Sequence, residues 1–152
     1  MTELLHITER AVWEDAASTG AYQVSTRGVS LAHQGFIHCS LPHQLREVAE
    51  AIYADADDLV VLVIDAASLS SPVRYEAGDG TPGGEAYPHI YGPLPVAAVA
   101  AVIPVTRDAA GRMLLPERAE EFGRAEQIPL PEQIPQADQS EPADVNPGPR
   151  PR

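Results

Sequence analysis

Three histidines lie in segments whose composition is typical of β-strands: "LLHIT" with His6, "GFIHCS" with His38 and "PHIYG" with His89. Each is followed two residues later by a hydroxyl side chain, Thr8, Ser40 and Tyr91 respectively. Alternate side chains of a strand share a face, so each imidazole and its hydroxyl are predicted to point the same way. If the three segments are adjacent in one sheet, three imidazoles and three hydroxyls line a single cleft. The first two strands lead into predicted helices, whose N-terminal amides favour a phosphate or pyrophosphate.

Simpler interpretations of the same residues exist. Thr8 and Ser40 stand where helix N-caps are expected, so their hydroxyls could satisfy helix amides instead. A strand histidine is often a half-buried, hydrogen-bonded residue without a chemical role. His33 and His43 lack the pattern and are predicted to lie at the surface. Three histidines could bind zinc, but ligands on three separate strands without close spacing are a weak signal, and we expect no metal.

Two further features lie beside these histidines. Cys39 is adjacent to His38 and therefore faces the opposite side of the strand, so we expect a small buried hydrophobic residue and not a nucleophile. It is the only cysteine, which excludes an internal disulfide. Arg74 and Glu76 in "VRYE" share a face, and could form either an ion pair on an edge strand or a clamp for phosphate and ribose.

The elements that must position these residues follow from hydrophobic periodicity. "ELLHIT" predicts a strand, and the next segment places Val12, Trp13 and Ala16 at helical spacing, with Gly20 as a terminator. A connection of residues 22–34 leads to the "GFIHCS" strand, and residues 41–54 carry a second amphipathic helix.

The valine-rich run "DLVVLVID" predicts a strand in the middle of a sheet that is covered on both faces. "AGDGTPGG" predicts a mobile loop between "VRYE" and the His89 segment. "PVAAVAAVIPV" predicts a helical turn followed by a last apolar strand, and "TRDAAGRMLLP" a turn followed by an edge strand. The sequence thus predicts an α/β (α+β) domain: a small mixed β-sheet core with two main helices.

Length, charge and tail composition set the outer limits. A chain of 152 residues is long enough for one domain, which we place at residues 1–117. Residues 118–152 are predicted to be a proline-rich disordered tail, since seven prolines fall within residues 123–152 with almost no aliphatic periodicity. The formal charge is -12 and lysine is absent, which disfavours general nucleic-acid binding and docking to anionic membranes. The N-terminal residues do not resemble a signal peptide and no segment is long enough to span a membrane, so we expect a cytoplasmic protein.

Together, "LLHIT", "GFIHCS", "DLVVLVID", "VRYE" and "PHIYGPL", in this order over residues 4 to about 116, resemble the small bacterial family known as domain of unknown function 952. That family is grouped by remote similarity with the ADP-ribosyltransferase-like fold, which includes the RNA 2'-phosphotransferases that use two strand histidines. The resemblance implies this fold for residues 1–117. Because a shared fold does not fix chemistry, the implied activity is an expectation only.

The resemblance also assigns roles to residues. His6 takes the first-strand position that contacts the ribose next to nicotinamide, and His38 the position that supports this ribose or an acceptor phosphate. The glutamate of a later strand has no certain counterpart; Glu85, Glu76 and the pair His89 and Tyr91 are the candidates. Breaking a nicotinamide–ribose bond generates an oxocarbenium-like centre, so the ribose must be oriented and the developing charge stabilised.

We therefore expect a transferase-like enzyme that binds NAD, ADP-ribose or a phosphorylated substrate and needs no metal. His6, His38, His89 and Glu85 are the expected catalytic residues, and Thr8, Ser40, Arg74 and Tyr91 the expected cofactor-binding ones. Arg27, Arg46 or Arg74 could neutralise phosphates, and "AGDGTPGG" could close over the ligand. The alternative is a non-catalytic module in which the same cleft binds a ligand or a protein segment. The sequence does not determine the oligomeric state.

Overall fold

The computed structural model describes residues 3–77, 85–116 and 127–130. The helices are α1 (Arg10–Thr19), α2 (Leu31–Gln34) and α3 (Leu45–Ile52). The strands are β1 (Glu3–Glu9), β2 (Ala21–Tyr22), β3 (Val24–Thr26), β4 (Val29–Ser30), β5 (Ile37–His38), β6 (Leu59–Asp65), β7 (Val73–Ala77), β8 (Ala86–Ile90), β9 (Leu94–Pro95), β10 (Val99–Arg107) and β11 (Met113–Leu114). Short 3-10 turns span Pro42–Gln44, Ala66–Ser68 and Val96–Ala98.

The α+β prediction with two main helices, α1 and α3, is confirmed. Every strand pair in the described residues is antiparallel, so the predicted mixed sheet is wrong.

The largest sheet has four strands in the order β1-β6-β10-β11. β6, the valine-rich strand, lies between β1 and β10, and its residues from Leu59 to Ile64 are at most 3 % exposed. An unbroken apolar run suits this position because both faces of the strand must be covered. The central, doubly covered strand is therefore confirmed, and β11 forms the edge expected for the segment after the turn.

Two hydrophobic clusters cover the two faces of this sheet. The first contains Leu4 of β1 and Leu62 of β6, and packs against Trp13 of α1. The second contains Leu5 of β1 and packs against Leu45 of α3. Neighbouring residues of β1 thus point into different clusters, as the two-residue period of a strand requires.

Helix α1 begins directly after β1 and buries Trp13 and Ala16, the predicted apolar positions. It ends at Gly20, whose φ of 96° lies in the left-handed region that favours glycine, and whose N–H donates to the carbonyl of Ala16 at 3.0 Å. The predicted terminator is confirmed.

A second, three-stranded sheet has the order β5-β8-β7. His38 pairs with His89, and His89 pairs with Arg74 on the other side. One face of this sheet is aliphatic and enters the first cluster through Ile37, Ile90 and the partly buried Val73. The other face therefore carries the alternate residues, which include His38 and His89.

Residues 21–38 differ from the prediction. The expected connection contains the β3–β4 hairpin, which turns at Gly28 with φ 73°, and helix α2, whose cap Ser30 accepts from the N–H of His33 at 3.1 Å. Only Ile37 and His38 of "GFIHCS" form a strand, because Gly35 ends α2 in the left-handed region and leaves little chain before Cys39. His33 and His43 lie at the surface as predicted.

A short part of the C-terminal segment is placed on the domain. The N–H of Ile128 donates to the carbonyl of Val102 at 2.8 Å, and its side chain packs on the first cluster. Residues 78–84 of the predicted loop 77–84, and residues 118–126 and 131–152 of the predicted tail, lie outside the described residues. Within the described ranges, no helix is long and apolar enough to cross a membrane.

Candidate functional site

The outward face of the three-stranded sheet carries a set of polar and aromatic side chains, which we call the polar sheet face. Its members are His38 of β5, Arg74 and Glu76 of β7, Tyr87 and His89 of β8, and Tyr91 just after β8. Residues that are paired across neighbouring strands point to the same side of a sheet, so the register of the three strands brings these side chains together. His89 is 2 % exposed, whereas His38 is only partly buried and Arg74 is exposed. The face is thus anchored inside the protein and open at its margin.

Three of these side chains form a continuous hydrogen-bonded line. Nδ1 of His38 lies 3.2 Å from Nε2 of His89, and Nδ1 of His89 lies 2.9 Å from Oε1 of Glu76. A carboxylate oxygen can only accept, so Nδ1 of His89 donates its proton to Glu76. In a neutral His89, Nε2 then accepts from Nδ1–H of His38. Nε2 of His38 is left with its lone pair, and no residue in the described ranges forms a hydrogen bond to it.

Glu76 is held as a carboxylate by its neighbours. The hydroxyl of Tyr91 donates to Oε1 at 2.6 Å, and this bond, followed by that of His89, lowers the pKa of Glu76. The same carboxylate raises the pKa of Tyr91. His89 and Tyr91, which the sequence places on the same side, are thus joined through Glu76. This is the carboxylate that the sequence offered as an alternative to Glu85.

Aromatic rings and one cation surround this line. Phe36 stacks on the imidazole of His89 with ring centroids 4.1 Å apart, and Tyr87 lies 5.3 Å from the ring of His38. The guanidinium of Arg74 sits 4.9 Å from the centroid of the Tyr91 ring. Arg74 and Glu76 thus share a face as predicted, but each contacts Tyr91, and no ion pair joins them in the described residues.

His6 lies apart from this line, on the inner side of β1. Its Nδ1 is 2.7 Å from the carbonyl oxygen of His38 and its Nε2 is 2.7 Å from the hydroxyl of Tyr22. The carbonyl can only accept, so Nδ1 carries the proton and Nε2 accepts from Tyr22. The Tyr22 oxygen, 2.9 Å from Oγ1 of Thr8, can then accept from that hydroxyl. His6 therefore contacts the backbone of β5, while the imidazole of His38 binds His89.

Burial sets the protonation of His6 and His38. Loss of solvent lowers the pKa of His6 to about 4, partly offset by its bond to the His38 carbonyl. Burial, and secondarily the charge of His89, lowers the pKa of His38 to about 4. Both rings are neutral near pH 7 and can act as hydrogen-bond acceptors.

Ser40 meets His6 and His38 around a small cavity. The cavity has a volume of about 10 Å³ and is also lined by Thr26 and Tyr53. That is about the space of one water molecule, whereas ligand pockets typically measure roughly 300–1,000 Å³. Ser40 and His6 are 2 % and 3 % exposed, so both side chains are closed off from solvent in this structure.

Neither Thr8 nor Ser40 acts as a helix cap. The N-cap of α1 is Glu9, whose side chain makes no capping bond, and the 3-10 turn after β5 is capped at Leu41, whose N–H donates to Oε1 of Gln44 at 2.9 Å. Thr8 points inward to Tyr22, and Ser40 forms a backbone bridge to Leu5. The capping interpretation is therefore wrong for both residues, because each helix begins one position later than the pattern suggests.

Glu85 is not brought to the histidines of the polar sheet face. Its Oε2 accepts from Nε2 of Gln44 at 2.9 Å and lies 3.2 Å from Nε2 of His43. Glu85 precedes β8 and stands four residues before His89, about 13 Å along an extended strand. The β7–β8 register thus brings Glu76, the other glutamate that the sequence offered, into contact with His89.

Cys39 is 1 % exposed in the first cluster, and burial raises the pKa of its thiol. It lies on the opposite side of the strand from His38, as predicted, and has the place of a small hydrophobic residue. Among the described residues, no three His, Cys, Asp or Glu side chains are arranged to hold a metal ion.

Sequence reasoning missed Tyr22 and Phe36. Phe36 stands two residues before His38, so strand alternation could have placed it on the same side. Tyr22 gave no such signal, because it approaches His6 from a separate two-residue strand.

The chain was compared with models of known protein families and with solved structures. The family model described as "Protein of unknown function (DUF952)" matches residues 7–102, which contain most of the antiparallel α+β domain and its polar sheet face. The chain belongs to this family.

The chain is also similar to solved structures of protein CC0527 from Caulobacter crescentus. Its crystal structure is 31 % identical, with a TM-score of 0.63, and the match covers 74 % of this chain and 94 % of that one. A crystal structure of a double mutant of CC0527 is 30 % identical, with a TM-score of 0.63 and the same coverage. The solution NMR structure is 30 % identical, with a TM-score of 0.61, covering 80 % and 97 %. No curated protein matches the chain.

Proposed function

We propose that the polar sheet face binds a nucleotide of the NAD or ADP-ribose type, and that the protein is a transferase-like enzyme with an ADP-ribosyltransferase-like fold. The observation that carries the proposal is the line from Glu76 through His89 to His38, which ends in an imidazole nitrogen with a lone pair at the partly exposed margin. A neutral acceptor of this kind suits a ribose hydroxyl.

The surroundings of this line fit the remaining parts of such a ligand. Arg74 is exposed beside the face and can pair with a phosphate, which matters in a chain of net charge -12. The partly buried rings of Phe36 and Tyr91 offer surfaces on which a nicotinamide or adenine can stack. The unpaired thiol of Cys39 agrees with a reducing compartment, so the proposal includes a cytoplasmic location.

Ligand binding is tested by thermal unfolding in the presence of NAD or ADP-ribose. A ligand at ten times its dissociation constant stabilises the native state by about 1.4 kcal/mol, which raises the Tm of a domain of this size by several degrees. We expect this shift in the wild type, its loss in Arg74→Ala, and its retention in Arg112→Ala, a matched change of an exposed arginine beside β11. No shift with any nucleotide at millimolar concentration would contradict the proposal.

Catalysis is tested by incubation with NAD and detection of released nicotinamide by mass spectrometry. We expect release by the wild type and none by His38→Ala. One observation favours the alternative of a non-catalytic binding module: His6, which the resemblance assigns to the ribose, is 3 % exposed and bonded to Tyr22. Binding of NAD without nicotinamide release by the wild type would support that alternative.

A further inference from the structure

We propose that His38, His89 and Glu76 form a two-ring proton relay, in which His38 accepts a proton from a ligand hydroxyl and His89 holds the resulting positive charge beside Glu76. This inference rests on the proposed function only for the ligand hydroxyl, because the relay itself is a property of the free protein. His38 is the catalytic residue of the relay, and His89 and Glu76 are positioning residues.

The geometry fixes the starting state. Glu76 accepts from Nδ1–H of His89, which leaves the Nε2 lone pair of His89 to accept from Nδ1–H of His38. In neutral imidazoles this order permits one tautomer for each ring. Nε2 of the partly buried His38 is then an acceptor.

The proton transfer balances over the three groups. Nε2 of His38 takes the proton of a ligand O–H, whose electron pair stays on the oxygen. The Nδ1 proton of His38 moves 3.2 Å along the existing hydrogen bond to Nε2 of His89. The products are an alkoxide on the ligand, a neutral His38 that now carries its proton on Nε2, and an imidazolium at His89 paired with the Glu76 carboxylate.

The location of the charge explains why two rings are used. A single histidine at position 38 would hold the positive charge in a partly buried site with no carboxylate in contact among the described residues. At His89 the charge is 2.9 Å from Oε1 of Glu76, whose other bond comes from Tyr91. Burial of a charge is tolerated when it is paired and hydrogen-bonded in this way.

The groups that face the two rings are consistent with this arrangement. Arg74 stands opposite His89 in the strand register, with its guanidinium over the Tyr91 ring, and Tyr87 lies beside His38. Glu76 is the one carboxylate in contact with either ring in the described part of the chain. Phe36, stacked on His89, adds no charge and keeps that ring in place.

The relay is tested by ¹⁵N NMR of the histidine side chains in the full-length protein without ligand. At pH 7.5 we expect protonated Nδ1 and unprotonated Nε2 on both His38 and His89. Lowering the pH should place the first proton on the pair, with the Nδ1 signal of His38 losing its proton as its Nε2 gains one. A protonated Nε2 on His38 at pH 7.5 beside a neutral His89, or independent titration of the two rings, would overturn the relay.

Two matched variants separate the relay from a structural role. Glu76→Gln removes the negative charge but keeps the size of the side chain, so on acidification the Nδ1 proton of His38 should stay on His38 and no longer move to His89. Glu85→Gln is the same change on a carboxylate that contacts Gln44 and His43 instead, and should leave the signals of both rings unchanged. If the ¹⁵N signals of His38 and His89 in both variants follow pH as they do in the wild type, the relay is wrong. These outcomes do not depend on NAD, so failure of nucleotide binding and failure of the relay are distinguishable.

Discussion

Acid should destabilise the protein through His6. Burial lowers its pKa to about 4, against 6.5 for the exposed ring of the unfolded chain. Below pH 6.5 the unfolded state therefore binds more protons than the folded state, and stability falls as the pH falls from about 6.5 to about 4. The ring can accept an additional proton only at Nε2, where it now accepts from Tyr22, so protonation also disrupts the bond to that hydroxyl.

The size of the effect follows from the two pKa values. At pH 5 the ratio of protonated to unprotonated His6 is about 30 to 1 in the unfolded chain. In the folded protein the same ratio is about 1 to 10. This difference corresponds to about 2 kcal/mol of lost stability relative to pH 7.5. Since small domains have a total stability of roughly 5–15 kcal/mol, the loss is large enough to measure by urea unfolding.

The variant His6→Asn separates the contribution of His6 to the pH dependence of stability from the contributions of His38 and Glu76. An asparagine amide can still donate to the His38 carbonyl but does not titrate. We expect the stability gap between wild type and His6→Asn to be about 2 kcal/mol smaller at pH 5 than at pH 7.5. His33→Asn, a matched change of an exposed histidine, should keep the wild-type profile. Parallel stability curves for wild type and His6→Asn would refute the reasoning.

Three further predictions concern stability. Tyr22→Phe removes the hydroxyl between His6 and Thr8 and leaves a buried ring nitrogen without its donor, so urea unfolding should show a loss of about 1–3 kcal/mol. Ile128→Ala should lower the free energy of unfolding by about 1 kcal/mol, because the side chain packs on the first cluster. The control Leu130→Ala changes an exposed side chain and should have less than half that effect. Equal effects would contradict the packing of Ile128 on the domain. Gly20→Ala should lower the free energy of unfolding by about 1 kcal/mol, because alanine at φ 96° is strained even though its methyl group has open space. An unchanged or raised Tm in thermal unfolding would contradict this strain.

The elements that depend on local periodicity were predictable. The alternation of β1, the apolar run of β6, the spacing in α1 and its end at Gly20 are each set by neighbouring residues in the chain. The pairing of His89 with Tyr91 followed from the same two-residue period. Each of these features requires knowledge of only a few consecutive residues.

The choice between Glu76 and Glu85 could not be made in this way. Glu85 lies four residues before His89 and Glu76 thirteen, and the β7–β8 register alone decides that Glu76 binds its ring. The packing of the aliphatic face fixes this register, because a shift of one residue would reverse every side chain. For the same reason the sequence could not place His6 in a different sheet from His38.

The contact between His6 and the carbonyl of His38 affects how mutations of this protein are to be interpreted. It connects the largest sheet to the strand that holds the His38 imidazole, so a change at His6 can displace that imidazole without any contact between His6 and a bound molecule. Loss of turnover in a His6 variant would therefore not distinguish a chemical participant from a support of the backbone. Only a measurement that locates the His38 ring itself can separate the two.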